Sequence, residues 1–378
     1  MPPSKASRSP RTPKPARNHI AEWFGHRVYP VVAGTSDSLK DQQDERCPFL
    51  TRETGRERGC VKKPGSRGVC TISTSGNGDR QDWLVCPFRV LEPSLLEDAV
   101  RRLFKHDAAS PISLVPALNL NDQETAARFR TDVRDNKPCY AFFQKEFGGE
   151  IALAATERSP EFSFDVTIAE IVPTETGAPT LRRYGVLEIQ TMDFHGSYAS
   201  AVRDLSDALR LHRGGFAQAV SEHPEWPGNK IEGPNIANVF KRTFYQMMFK
   251  FQIGMHANSA GCVFAVPAAV WDSWQKFLGK PDLSLATDGT FRLSAPGSTS
   301  NNKPNSWIYV FEVDPSTTVT PNEIRLSKVI GTDAAALSYY ALKVAPDAAL
   351  AEGSSADRVL SSLRDRLTAY LPDLVMGA

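Results

Sequence analysis

Two stretches near the middle of the chain, EFSFDVTIAE at 161–170 and YGVLEIQTMDF at 184–194, read as strands and yet carry acids. That combination restricts the fold sharply. A buried carboxylate without a partner is strongly unfavourable, so such a group is paired, often with a metal ion. Strand alternation places Glu161, Ser163, Asp165 and Thr167 on one face and Phe162, Phe164, Val166 and Ile168 on the other. In the second stretch Glu188 and Gln190 share a face and Ile189 points away. If the two strands are neighbours, Asp165 and Glu188 approach one another. Upstream, FGGEIALAAT sets Glu150 at the start of a further strand, behind two glycines that permit tight backbone geometry. Three carboxylates on neighbouring strands suit a hard divalent cation such as magnesium. Gln190 is then a neutral group beside the ion, able to orient an attacking water. Ion pairs with Arg182 or Arg183, or simple exposure at strand ends, would satisfy the same pattern.

With 378 residues, 41% hydrophobic and 23% charged, the chain has material for one large domain or two ordinary ones and fits a soluble globular protein. The formal net charge of +1 means that a nucleic-acid partner would be held by local patches. The longest apolar run, GCVFAVPAAVW at 261–271, is too short to span a bilayer and contains Pro267. The N-terminus lacks the apolar core of a signal peptide. These features predict a cytoplasmic protein without a membrane segment, in which six cysteines serve as thiols or metal ligands rather than disulfides.

Residues 1–18 form a basic, proline-rich, acid-free stretch, expected to be a disordered tail. Residues 19–92 hold four of the six cysteines, are rich in Gly, Arg and Lys, and read as a loop-rich module that needs a staple. Residues 93–378 are expected to form the catalytic domain, entered through a helix over 94–107. Its pattern alternates strands (139–143, 150–156, 161–171, 184–192, 261–267, 306–313) with helices (197–211, 234–254, 268–279, 333–344, 355–370), and an exposed loop covers 298–306. The apolar stripe of 197–211 predicts packing on a sheet, and Phe240, Phe244, Met247, Met248 and Phe251 form a core or dimer stripe.

The four cysteines Cys47, Cys60, Cys70 and Cys86 are spaced C-x12-C-x9-C-x15-C, which lacks the paired CxxC of common zinc ribbons. Four thiolates within forty residues nevertheless suit one tetrahedral iron or zinc ion. Cys47 and Cys86 both open a CPF triplet, while Cys139 and Cys262 sit in apolar strands and read as core. Between the ligands, residues 51–70 carry Arg52, Arg56, Arg58, Lys62, Lys63 and Arg67 against two glutamates. This is either a solvated face or a metal-braced basic loop on the DNA backbone, with arginine able to read guanine edges.

SPEFSFD at 159–165 followed by RYGVLEIQTMDFHGSY at 183–198 resembles the nuclease core of the NotI-type type II restriction endonucleases, members of the PD-(D/E)xK superfamily. IAEWFGHRVYP (20–30), CPFL (47–50), RGVC (67–70), DWLVCPFR (82–89) and EGPNIANVFKRTFYQM (232–247) resemble segments of that family in the same order, so the likeness runs from about 19 to about 315. The resemblance implies an α/β fold with a restriction-endonuclease-like mixed central sheet flanked by helices, plus a small N-terminal metal module. It implies magnesium-binding and catalytic roles for Glu150, Asp165 and Glu188, with Gln190 in the place of the usual lysine. It further implies structural iron on the four cysteines, a homodimer on palindromic double-stranded DNA, and a bacterial host with a cognate methyltransferase. The implied target is GCGGCCGC or a related G·C-rich site such as CGGCCG.

The alternatives are another PD-(D/E)xK repair nuclease, or a metal-braced sequence-specific DNA-binding protein without cleavage. His195, alone in its segment, reads as structural more readily than as a phosphate contact. No P-loop, dinucleotide fingerprint or nucleophile elbow occurs.

Overall fold

A computed structural model describes residues 16–372 except 77–78, 158, 276, 298–303, 315–316, 318–320 and 352–356. The expected disordered tail lies outside the described residues up to position 15; Arg17 is already anchored, its carbonyl accepting from Ser75 N–H at 2.9 Å.

The cysteine-bearing segment is less loop-rich than its composition suggests. It forms an antiparallel sheet in the order β2-β1-β3-β4, from β1 (Asn18–Trp23), β2 (His26–Arg27), β3 (Val69–Gly76) and β4 (Asp79–Leu84). Helices α1 (Ser36–Gln43) and α2 (Pro48–Thr54) fill the β2–β3 connection. Polar residues hid these strands: β1 and β3 are buried on both faces, yet His19, Glu22, Thr71 and Ser73 occupy buried positions in them.

Helix α3 (Pro93–Phe104) leads into a nine-stranded mixed sheet. Its strands are β5 (Ser113–Pro116), β6 (Cys139–Phe143), β9 (Val166–Pro173), β10 (Pro179–Ile189), β11 (Ser259–Pro267), β12 (Ser284–Leu285), β13 (Phe291–Arg292), β14 (Ser306–Val313) and β15 (Ile324–Thr332). A separate hairpin pairs β7 (Ala152–Leu153) with β8 (Phe162–Ser163). The sheet order is β12-β13-β15-β14-β11-β10-β9-β6-β5. At its centre β6, β9 and β10 form an antiparallel meander, and β10, β11 and β14 run parallel. The predicted strands at 139–143, 261–267 and 306–313 are present, whereas β5, β12, β13 and β15 and helix α4 (Gln123–Arg134) escaped the sequence pattern. The expected strand at 150–156 shrinks to two residues, because Gly148 and Gly149 take φ of +94° and +89° and turn the chain.

Helices α5 (Ala199–Leu211), α6 (Phe216–Glu222) and α7 (Ile236–Gly254) connect β10 to β11, and α8 (Ala268–Trp274) follows. The central strands are buried on both faces, so they read as continuous apolar runs. Leu187, Ile189, Val263, Ala265, Tyr309 and Phe311 face α3, and Val186, Cys262, Phe264, Val266 and Val310 face α7 and α8. Met247 and Phe251 of α7 are core residues, and so are Cys139 and Cys262. Helix α5 does pack on a sheet, but on the small one, against Ile20 and Trp23. In the C-terminal part the described helices are Ala334–Tyr339, continuing as a π-turn over Tyr340–Val344 and as an α-helix over Ala345–Leu350, and Asp357–Leu367.

The small sheet takes part in two cores: Ile20, Trp23, Val69 and Ile72 pack with α5 and α6, while the cysteine side joins the core of the large sheet. Cys47, Cys70, Cys86, Phe49 and Phe88 share one cluster with Leu96, Val100, Phe142 and Leu187 of the large sheet and its helix. Two fully buried arginines complete the junction. Arg27 pairs with Asp82 at 2.5 Å and donates to the Asp314 carbonyl at 2.6 Å. Arg89 pairs with Glu22 at 2.7 Å and Glu92 at 3.0 Å and donates to the Asn322 carbonyl. Among the described residues, no helix is long and apolar enough to cross a membrane.

Candidate active site and cysteine cluster

The predicted strand over 161–171 breaks in two, and the break makes the site. Phe164 packs with the α7 layer, whereas Val166 and Ile168 pack with the α3 layer, so the expected common face is divided at Asp165. Asp165 therefore sits in a bend between β8 and β9, beside the C-terminal end of β10. Two reciprocal bonds fix it there. The Asp165 N–H donates to Glu188 Oε1 at 3.1 Å, and the Ile189 N–H donates to Asp165 Oδ2 at 3.0 Å. The two acids thus meet as their strand positions predicted.

Neither acid pairs with Arg182 or Arg183; those arginines hold Glu170, the second with bonds of 2.8 and 3.2 Å. The partner is instead Lys250 of α7, whose Nζ lies 2.5 Å from Glu188 Oε2. Enclosure by the fold pushes the Asp165 carboxyl above its ordinary value. Burial, and then the neighbouring Asp165 charge, pushes Glu188 well up, with Lys250 opposing. Gln190 faces the same helix: its Oε1 accepts from Thr243 Oγ1 at 2.5 Å and its Nε2 donates to the Thr191 carbonyl at 2.5 Å. One N–H and one lone pair of that amide remain for a water.

These groups line a cavity of about 490 Å³ with Glu161, Asp193, Arg242 and Tyr245 at its wall. Arg242 is ion-paired with Asp193 at 2.8 Å. Glu150 does not join the cavity. The β7–β8 register (Ala152↔Ser163), continued two places, sets its backbone across from Asp165, but its side chain is exposed. His195 is exposed and outside the cavity as well. Lys250, the partner of Glu188, is not legible as such in the sequence. Its only signal was a charge on the otherwise apolar stripe of α7, two turns beyond Thr243.

The four cysteines are drawn together by α2, β3 and the ends of β4. Cys47, Cys70 and Cys86 are buried and Cys60 is partly so. Cys70 Sγ donates to the Gly68 carbonyl at 3.4 Å. Interaction with Cys86, and burial, raise the Cys70 thiol, while interaction with Cys70, and the charge of Lys62, lower Cys86 against its burial. Burial, then the charge of Cys86, pushes Cys47 up to about 12. Amide N–H groups point at sulfur: those of Phe49 and Leu50 at Cys47, that of Phe88 at Cys86, and that of Gly68 at Cys60 Sγ at 3.3 Å. In both CPF triplets the backbone folds back on its own cysteine. Such bonds stabilise thiolate, the form that binds metal, whereas burial favours the neutral thiol at Cys47 and Cys70. Among the described residues, no three His, Cys, Asp or Glu side chains have metal-binding spacing at either site.

Of the six basic residues between the cysteines, four are engaged within the protein. Lys62 donates to the Val69 and Val85 carbonyls at 2.7 and 3.1 Å, bracing the cluster. Arg52 donates to the Leu91 carbonyl at 2.9 Å, Arg58 pairs with Glu146 at 3.0 Å and Arg67 with Glu45 at 2.7 Å. Arg56 and Lys63 are exposed and make no ion pair among the described residues. Arg56 lines a polar cleft of about 760 Å³ with Arg58, Asn119, Asn121 and Asp122. That cleft lies beyond the C-terminal end of β5, which is parallel to β6, so it shares a sheet edge with the acid cavity.

The sequence matches no protein-family model, and no curated protein matches it significantly.

Proposed function

We propose that this chain is a magnesium-dependent endonuclease of the NotI-type, PD-(D/E)xK class, hydrolysing phosphodiesters of double-stranded DNA at a G·C-rich palindrome. The carrying observation is the reciprocal backbone lock between Asp165 and Glu188, which holds two carboxylates in contact at the rim of a polar cavity. Two acids enclosed together repel, and a divalent cation relieves that repulsion. The β6-β9-β10 meander followed by the α7 crossover to β11 is compatible with the sheet implied by the sequence resemblance.

In this reading Asp165 and Glu188 hold the metal, and Glu150 would join only if its exposed side chain turned inward. When bound, magnesium would polarise the scissile phosphate and lower the pKa of an attacking water. Gln190, anchored by Thr243, orients that water towards phosphorus, and no covalent intermediate with the protein is required. The four cysteines would hold iron or zinc, and so brace the loop that carries Arg56 and Lys63 towards DNA. A two-fold dimer would match the symmetry of a palindrome, and a cognate methyltransferase would protect host sites.

Digestion of a G·C-rich DNA library with magnesium or EDTA, with sequencing of the cut ends, tests the reading. Discrete ends at one palindrome, present only with magnesium, are expected. Specific binding without cutting would make the protein a metal-braced DNA-binding protein.

The two kinds of basic residue predict separate outcomes. Arg56→Ala is expected to weaken DNA binding and reduce the slope of log affinity against log salt by about one. Lys62→Ala is expected to leave that slope unchanged and lower thermal stability, because it removes two bonds inside the cysteine cluster. Titrations at several salt concentrations, paired with melting curves, compare them; equal salt slopes for the two variants would contradict the assignment.

A further inference from the structure

We propose that Lys250 is a built-in counter-ion that competes with the divalent cation for Glu188 and is released when the cation binds. The inference rests on the nuclease reading above and adds how the site is held together before metal arrives.

Both oxygens of Glu188 are committed. Oε1 accepts the Asp165 N–H at 3.1 Å, and Oε2 faces Lys250 Nζ at 2.5 Å, with the two side chains only 5% and 6% exposed. Nζ also lies 5.6 Å from the centroid of the Phe164 ring. A metal ligand at this position must offer Oε2, the oxygen that Lys250 occupies. Two cations cannot share one enclosed carboxylate oxygen without strong repulsion. Metal entry therefore requires Nζ to move.

The geometry allows this. Thr243 and Lys250 lie two turns apart on α7 and hold Gln190 and Glu188, two residues apart on the strand end. Thr243 is a short anchor, whereas the lysine has a flexible four-carbon stem whose head can swing. Lys250 already lines the cavity of about 490 Å³, so the released ammonium can turn into the space where a substrate phosphate would lie. The other cation at that wall, Arg242, is engaged by Asp193. Without Lys250, the metal-free site would bury two acids with no counter-charge, a strongly destabilising arrangement.

The test uses the full chain with manganese alone, without DNA. An amine-reactive reagent, read by peptide mass spectrometry, should leave Lys250 unmodified in metal-free protein. On manganese addition Lys250 should be labelled at a rate approaching that of exposed Lys63. Calorimetric titration should show Lys250→Met binding manganese at least about tenfold more tightly than wild type, because the competing charge is gone. Protection of Lys250 with and without manganese, or equal affinities, would make the pair a permanent structural bridge and overturn the proposal while leaving the metal site standing. Absence of manganese binding by both proteins would remove the metal site itself and this inference with it. If Lys250→Met does not fold, the labelling of wild type decides alone.

Discussion

Glu188→Gln and Asp165→Asn should each cut DNA at least on the order of 10³-fold more slowly than wild type while still binding it. Both substitutions keep shape and remove a charge. In the proposed function DNA is met through exposed cations, which lie on other elements, so a gel shift should change little. Rate and binding should separate because the acids act on the bound phosphate rather than on the affinity of the complex. Single-turnover cleavage under saturating magnesium measures the first, and a gel shift in EDTA the second. Cleavage within tenfold of wild type by either variant would remove the mechanism. Enclosure raises both carboxyls in the fold, so the metal-free protein gains stability at low pH and loses it as pH rises through the raised values. Protons compete with metal for the same oxygens, and metal affinity should rise with pH over that range.

The second large effect concerns stability. Arg89→Met should destabilise the protein by about 3–5 kcal/mol at neutral pH, as measured by urea denaturation. Arg89 is fully buried and neutralises Glu22 and Glu92 at 2.7 and 3.0 Å, while its other nitrogen reaches the Asn322 carbonyl ahead of β15. Methionine fills much of the volume and leaves two acids without a counter-charge. Adding Glu22→Gln should restore part of the loss. The effect should extend to the cysteine cluster, because the Arg89 charge helps hold Cys86 towards thiolate; metal retention at the four cysteines should fall with stability. A loss below about 1 kcal/mol would show that the network is not what joins the two sheets.

The central strands were legible because burial on both faces demands unbroken apolar runs, as in GCVFAVP at 261–267. The small sheet was not, because buried polar residues such as His19, Glu22, Thr71 and Ser73 interrupt its strands and resemble loop composition. The acids Asp165 and Glu188 were legible as candidates because carboxylates among strand residues violate the usual pattern. Their partner was not. The arginines nearest in sequence turned out to serve Glu170, and the lysine that pairs with Glu188 lies 62 residues away on α7.

From the sequence alone come the two acids, Gln190 beside them, the four clustered thiols and the strand-rich core, because each is a local departure from or match to a backbone period. Tertiary structure alone decided that the strand bends at Asp165, that Glu150 stays exposed, that Lys62 braces the cysteines, and that Lys250 occupies Glu188. The reason is range. Periodicity records which way a side chain faces from its own backbone, whereas an enclosed charge takes its partner from whichever element the fold packs against it, at any distance along the chain.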